Sequence, residues 1–334
     1  MTFARDPGSV ASLVADMQQG KLDPVDLLET YISRIDQVDV EVQAWRVVAN
    51  DQALEDAKRL KEVDDPAKFA LFGLPVGVKD IIDVAGVPTR NGSPRCETAP
   101  PATADAVVVA DLRAAGAIIL GKTHTTEYAH FAGPYPTRNP HDLARTPGGS
   151  SAGSGAAVAA GMVPATLGTQ TAGSVNRPAA YCGVGAFKPS SGSLSIHGVT
   201  SFSPHFDTIG TFGHRARDAA YVFCAVAPRF LAPDSGAPVA RVIAVDDPIY
   251  AAAETNLAAN FQQTLARFAS AGFEVDRQGS PVPFAQFVAD HKTVSEYELG
   301  RGQGHLLDHG PSVVNTILTE AIERGLATTA TTYK

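Results

Sequence analysis

From Leu71 onward the chain is written as short apolar runs separated by glycine and proline, and this texture constrains the fold more than any other feature. Leu74–Val78, Ala117–Leu120 and Val163–Leu167 are continuous in hydrophobicity, the pattern of strands buried on both faces. Between the first two, Thr103–Ala115 carries helical spacing and closes on Gly116. Strand, helix and strand in alternation favour a layered α/β core over a bundle or a sandwich.

The flanking segments fit the same class. Ser9–Gly20 and Asp23–Val38 read as amphipathic helices, the second opened by Asp23 as cap and Pro24 in the first turn. Lys58–Lys68 reads as a polar, Asp-rich connection. Farther on, Val242–Val245 is expected as a strand, Ala251–Ala271 as a long helix and Gly272–Val275 as a returning strand. Ala227–Pro238, rich in proline and glycine, is expected to be a surface loop that does not separate two self-sufficient halves. The reading is one domain over 1–334: an N-terminal helical segment to 66, a core at 67–225 and a C-terminal part from 226.

Composition narrows the function. A net charge of −8 argues against a nucleic-acid footprint, which needs clustered Lys and Arg. The first ten residues lack the apolar stretch of a signal peptide, and Gly155–Leu167 is shorter than the roughly 20 residues that span a bilayer. A cytoplasmic location without membrane attachment is therefore expected. Cys96, Cys182 and Cys224 are odd in number and lack CxxC spacing, so reduced structural thiols are expected rather than zinc ligands or a disulfide framework.

Three segments carry chemistry. Gly73-Leu-Pro-Val-Gly-Val-Lys-Asp80 ends an apolar run on a lysine. An ordinary strand-end lysine would run its methylenes over the core and reach water. A desolvated one would have its ammonium form disfavoured and its amine available as a base near neutrality.

Pro147-Gly-Gly-Ser-Ser-Ala-Gly-Ser-Gly155 precedes an Ala-rich run, Ala156–Gly161, suited to a close-packed helix whose N-terminus faces the loop. A phosphate loop fails here because Ser154 stands where the Walker pattern requires lysine. Gly149–Gly153 formally matches the nucleophile elbow, with Ser151 as nucleophile, yet the preceding His141–Thr146 is too polar to be the required strand. In the third segment, Leu167–Pro178, Ser174 follows small residues after a strand run. It can present its hydroxyl beside free backbone N–H groups, the donors a developing oxyanion needs, or lie in a plain Ser/Thr/Gly loop.

Lys79 in GVKD, Ser150 in GGSSAGS and Ser174 in GTQTAGSVNRPAAYCGV closely resemble the three hallmarks of the amidase signature family, as does the 24-residue separation of the two serines. The resemblance extends through Gly121–Ala129, Thr137–Pro140, Lys188-Pro189 and Asp207–Gly210 and covers roughly residues 9 to 333. It implies an α/β amidase signature fold, a central mixed β-sheet covered by α-helices on both faces. It also implies a Ser-Ser-Lys triad in which Lys79 takes a proton from Ser150, Ser150 from Ser174, and Ser174 forms an acyl-enzyme.

Further implications are a cis peptide at Gly149–Ser150 and an oxyanion hole from the backbone N–H groups of Thr171, Ala172, Gly173 and Ser174. Tyr128, Ser151, Gln170 and Asn176 are candidate substrate contacts. No metal and no cofactor are implied, and the partners are a small amide-type substrate and water, with a homodimer compatible. The histidines need no catalytic role; His124, His197, His205 and His214 are expected at the pocket rim or in structural positions.

The chain also departs from the family. Gln170 stands where many members have Asp, and Asn176 stands where related sequences carry an aliphatic residue, so it is expected either to contact substrate or to tie down Arg177. Members usually continue past the point matching Gly325–Tyr333, so a C-terminally shortened form, with part of the substrate-recognising surface missing, is expected. The function expected is hydrolysis of a small amide, carbamate or ureido C–N bond other than a peptide bond. The alternatives are the amidotransferase subunit of tRNA-dependent amidation, from which Ser190–His197 differs, and a non-catalytic family member.

Overall fold

A computed structural model describes residues 9–130, 135–227, 241–246, 252–309 and 314–333. Two compact units divide the chain, one of residues 1–231 with 295–332 and 334, the other of 232–294 with 333.

The first unit opens with α1 (Val10–Gln18) and α2 (Pro24–Val42). Asp23 Oδ1 accepts from Val25 N at 2.8 Å, satisfying one of the donors a helix start leaves open. α2 outruns the expected Val38 because Val38 and Val42, one turn apart, both bury; it stops where Gln43 turns left-handed at φ 52°. β1 (Trp45–Val48) and α3 (Asn50–Lys61) follow. The segment expected as a polar connection from Lys58 is thus in its first part the last turn of α3. That helix buries only Ala53, Asp56 and Ala57, too faint a stripe for periodicity to find.

β2 (Pro75–Lys79), α4 (Val107–Ala114), β3 (Ile118–Thr123), α5 (Ala152–Ala159) and β4 (Ala165–Gln170) complete the centre. α6 (Asn176–Cys182), β5 (Gly185–Phe187), β6 (Thr208–Gly213) and α7 (Ala216–Val226) close it. The sheet order is β1-β3-β2-β4-β6-β5. The β3–β2 and β2–β4 pairs are parallel and the other three antiparallel, so the sheet is mixed.

Helices cover both faces. Val10 and Val14 of α1, Val108 and Leu112 of α4 and Val222 of α7 pack with Val76, Val78 and Leu167. On the other face Leu28 and Ile35 of α2, Ala53 of α3 and Ala156 and Ala157 of α5 pack with Ile118, Leu120 and Phe212. Side chains alternate along a strand, so Val76 and Val78 take one face while Gly77 and Lys79 take the face of α5. A Cβ at Gly77 would lie 2.9 Å from the Trp45 ring and 3.0 Å from the Thr166 methyl, which is why that position has no side chain.

The central strands run past the expected apolar spans into Lys79, Gly121–Thr123 and Thr169–Gln170. Hydrophobicity ends the prediction early because these polar ends bury on partners rather than on oil. Also in this unit, Tyr128 packs with Leu299, Leu306, Leu318 and Ile322.

In the second unit β7 (Arg241–Asp246) and β8 (Glu274–Gly279) pair in parallel across α8 (Thr255–Ser270), a βαβ unit close to the expected strand–helix–strand. Two helices follow in the chain, α9 (Phe284–Gln303) and α10 (Thr316–Ala327). The expected Ala227–Pro238 loop falls almost wholly outside the described residues. Among the described residues no helix is long and apolar enough to cross a membrane.

Candidate active site

β2 delivers Lys79 at its C-terminal end, on the α5 face, where the side chain is completely buried. Its Nζ donates to Ser150 Oγ at 2.7 Å and to Thr169 Oγ1 at 2.8 Å. Burial disfavours the ammonium and lowers the lysine pKa to about 7; the negative charge of Asp207 acts in the opposite direction without overcoming it. The strand-end lysine does not reach water.

Ser150 sits in the loop before α5, is fully buried, and follows a cis peptide at Gly149–Ser150. Neighbours hold this loop from both sides. Arg177 Nε and Nη2 donate to Gly149 O at 2.9 and 2.6 Å, Tyr135 Oη donates to Gly148 O at 2.8 Å, and Thr126 N donates to Ser150 O at 3.1 Å. The hydroxyl that receives the lysine therefore hangs from a backbone gripped at three successive carbonyls.

The competing serine is otherwise occupied. Ser151 Oγ donates to Thr169 O at 3.2 Å and accepts from Thr169 N at 3.3 Å, completely buried. It bolts the start of α5 to β4, and a Cβ at Gly168 would lie 2.7 Å from that oxygen. Among the described residues no strand leads into it, so the elbow geometry is absent.

Ser174 lies in the turn between β4 and α6, half-buried, its carbonyl accepting from Ser151 N at 3.3 Å. Gln170 shapes that turn. Its Oε1 accepts from Val175 N at 2.8 Å and Asn176 N at 3.0 Å, capping α6, while Nε2 donates to Ala172 O at 2.9 Å. All of these hydrogen bonds go to the loop's own backbone. Among the described residues the N–H groups of Ala172, Gly173 and Ser174 and the Ser174 hydroxyl make no hydrogen bond, and the space beside Gly173 is open. Thr171 Oγ1 donates to Asp207 Oδ1 at 2.5 Å.

The structure thus brings Lys79 and Ser150 into direct contact and carries Ser174 to the same loop through Ser151. Asn176 is exposed, and Arg177 directs its guanidinium to Gly149 O instead. Tyr128 is buried at φ 47° with its hydroxyl 3.3 Å from Cys96 Sγ, and burial raises its pKa. His124 is half-buried, its pKa lowered to about 4 chiefly by desolvation; His205 pairs with Glu298, and His197 is exposed. No group of acidic, histidine or cysteine side chains among the described residues could hold a metal.

Sequence reading gave no role to Thr169, Arg177, Asp207 or the buried pair of Lys122 and Asp80, 3.0 Å apart across β3 and β2. Only Thr169 left a signal, since it lies on the strand beside β2, two residues past Leu167, which registers with Val78.

The Amidase family profile matches residues 26–278, well over half of the chain. A glutamyl-tRNA(Gln) amidotransferase subunit from Sulfurihydrogenibium sp. (strain YO3AOP1) is 39% identical over 222 residues, covering 63% of this chain but 44% of that relative, less than half its length. Among solved structures, an amidase shares 30% identity at a TM-score of 0.86, over 98% of this chain and 75% of its own. The peptide amidase of Stenotrophomonas maltophilia shares 27% at a TM-score of 0.82, over 97% and 77%. By profile match and by fold, this chain belongs to the Amidase family.

Proposed function

We propose that this chain is a serine amidohydrolase cleaving the C–N bond of a small amide, carbamate or ureido compound, with Ser174 as nucleophile, Ser150 as relay and Lys79 as base. The observation that carries the reading is the buried Lys79 amine, its pKa lowered to about 7, at 2.7 Å from the Ser150 hydroxyl. With Thr169 Oγ1 accepting one of its N–H bonds, the amine can turn its lone pair to Ser150.

The steps follow from that arrangement. Lys79 takes the Ser150 proton as Ser150 takes the proton of Ser174, and Ser174 Oγ attacks the carbonyl carbon. The carbonyl oxygen becomes an oxyanion beside the N–H groups of Ala172, Gly173 and Ser174, and Thr171 N is the fourth donor of the proposed hole; losing one such donor typically costs about 10²–10³ in rate. Collapse breaks the C–N bond, the proton returns through the relay to the departing nitrogen, and water repeats the sequence on the acyl-enzyme. A fluorophosphonate probe tests this: labelling is expected in the native chain and lost in Ser174→Ala, and labelling that survives there would overturn the assignment.

A second reading has its own support, the identity to one subunit of a glutamyl-tRNA(Gln) amidotransferase. Glutamine-dependent activity appearing only with added partner subunits would favour it. Turnover of aliphatic or aryl amides, ureas, carbamates or peptide amides by the chain alone favours the hydrolase; the peptide amides belong in that screen because a peptide amidase shares the fold.

A further inference from the structure

Asp207 stands just before β6, with its carboxylate buried, and has no part in the proton path proposed above. It accepts four hydrogen bonds. Oδ1 takes Thr171 Oγ1 at 2.5 Å; Oδ2 takes Ser201 Oγ at 2.8 Å, Phe202 N at 2.7 Å and Ser203 N at 3.0 Å. Three of these fold the segment from 201 to 207 around the carboxylate, and the fourth reaches across to the turn that presents Ser174.

We infer that Asp207 is a positioning residue, which fixes the Thr171 end of the nucleophile turn and places a carboxylate that acts electrostatically on Lys79. The inference rests on the triad proposed above. Its first half is geometric. Gln170 ties the later part of the turn to α6, through Val175 and Asn176, but leaves Thr171 at the mouth of the strand. The hydroxyl bond to Asp207 is a side-chain tie at that end, so the proposed oxyanion donors are strung between two anchors.

The second half is electrostatic. The elements around Lys79 bring few charges to it. β3 contributes Lys122, already paired with Asp80; β4 contributes the neutral Thr169; Arg177, beside the Ser150 loop, is engaged on Gly149 O. Behind Asp207, Glu298 accepts from Ser203 Oγ at 2.5 Å and pairs with His205. Among the described residues Asp207 is the charge that acts on the lysine, and its direction is to favour the ammonium. A fixed carboxylate here keeps the amine from becoming too weak a base, since desolvation alone would push its pKa lower still.

The test measures the fluorophosphonate labelling rate against pH in the full chain, a readout that needs no knowledge of the substrate. In the native chain the rate is expected to rise through an acid limb near pH 7; absence of labelling there would sink the parent reading. Asp207→Asn removes the charge and keeps the shape. Its acid limb is expected to move to lower pH by about one unit or more, because the lysine loses a stabilising anion, while its plateau falls. Thr171→Val keeps the charge and cuts the tie, so its plateau should fall roughly 10-fold with the limb unmoved.

An Asp207→Asn limb superimposed on that of the labelling native chain would overturn the inference while leaving the triad standing. So would native-like labelling in Thr171→Val. A merely structural carboxylate would lower the plateau and stability without displacing the limb. If Asp207→Asn does not fold, the Thr171→Val result decides.

Discussion

At the residue scale the site is a problem in where a proton can rest. Lys79 holds its proton less firmly than a lysine in water because no water reaches it, and its two partners are neutral hydroxyls. As the proposed base, Lys79 must be unprotonated, so activity is expected to climb from mildly acid to alkaline pH with a midpoint near 7, and Lys79→Met to abolish turnover. A flat profile between about pH 5 and 9, with chemistry rate-limiting, would contradict this. The same group links to stability. Its folded pKa is depressed, so between about 7 and the ordinary lysine value near 10.5 the unfolded chain binds the extra proton. Stability should therefore rise with pH across that window and rise less in Lys79→Met, as urea unfolding at several pH values would show. Ser151 gives the opposite kind of prediction: Ser151→Ala leaves a buried backbone N–H without its partner, costing about 1–3 kcal/mol, yet should still label with fluorophosphonate.

At the element scale the strands and the small-residue helix work as one device. β2, β3 and β4 end in polar residues that the sheet buries, so their ends can be dry and hydrogen-bonded at once. α5 lies close enough to the residues flanking β1 and β3 that a Cβ at Gly153 would meet Ala44 O at 2.3 Å and His124 N at 2.4 Å. Gly153→Ala should cost about 3 kcal/mol, because backbone atoms cannot swing aside as a side chain can. The buried Lys122–Asp80 pair joins β3 to the residue after Lys79. Lys122→Met strands Asp80 as an uncompensated buried charge, with an expected loss of roughly 3–5 kcal/mol. Thermal or urea unfolding of either variant at native-like stability would refute the account of these contacts.

At the scale of the whole molecule the mixed sheet brings together segments that lie far apart in sequence: 79 beside 150 and 169, and 171 beside 207. The chain alone is expected to turn over a small amide. A screen in which no amide, urea or carbamate is consumed, while glutamine is consumed once partner subunits are added, would transfer the assignment to the amidotransferase reading.

The three central strands, the Asp23 cap, the class and the chemical segments could be read from the sequence, because each is a local matter: apolar runs, a capping residue, glycines where the backbone must turn. β1 and α3 escaped because their apolar stripe is thin. The lysine remained ambiguous for a deeper reason. The same residue at a strand end can stretch to water or be sealed under a helix, and the segment around it is identical in both cases. Only the packing of α5 over Gly77 and Lys79, and the arrival of Ser150 and Thr169 from distant positions, put that amine out of reach of solvent. The tertiary structure also gave Asp207 to Thr171, since hydrogen bonds between remote segments exist only once the sheet has set their register.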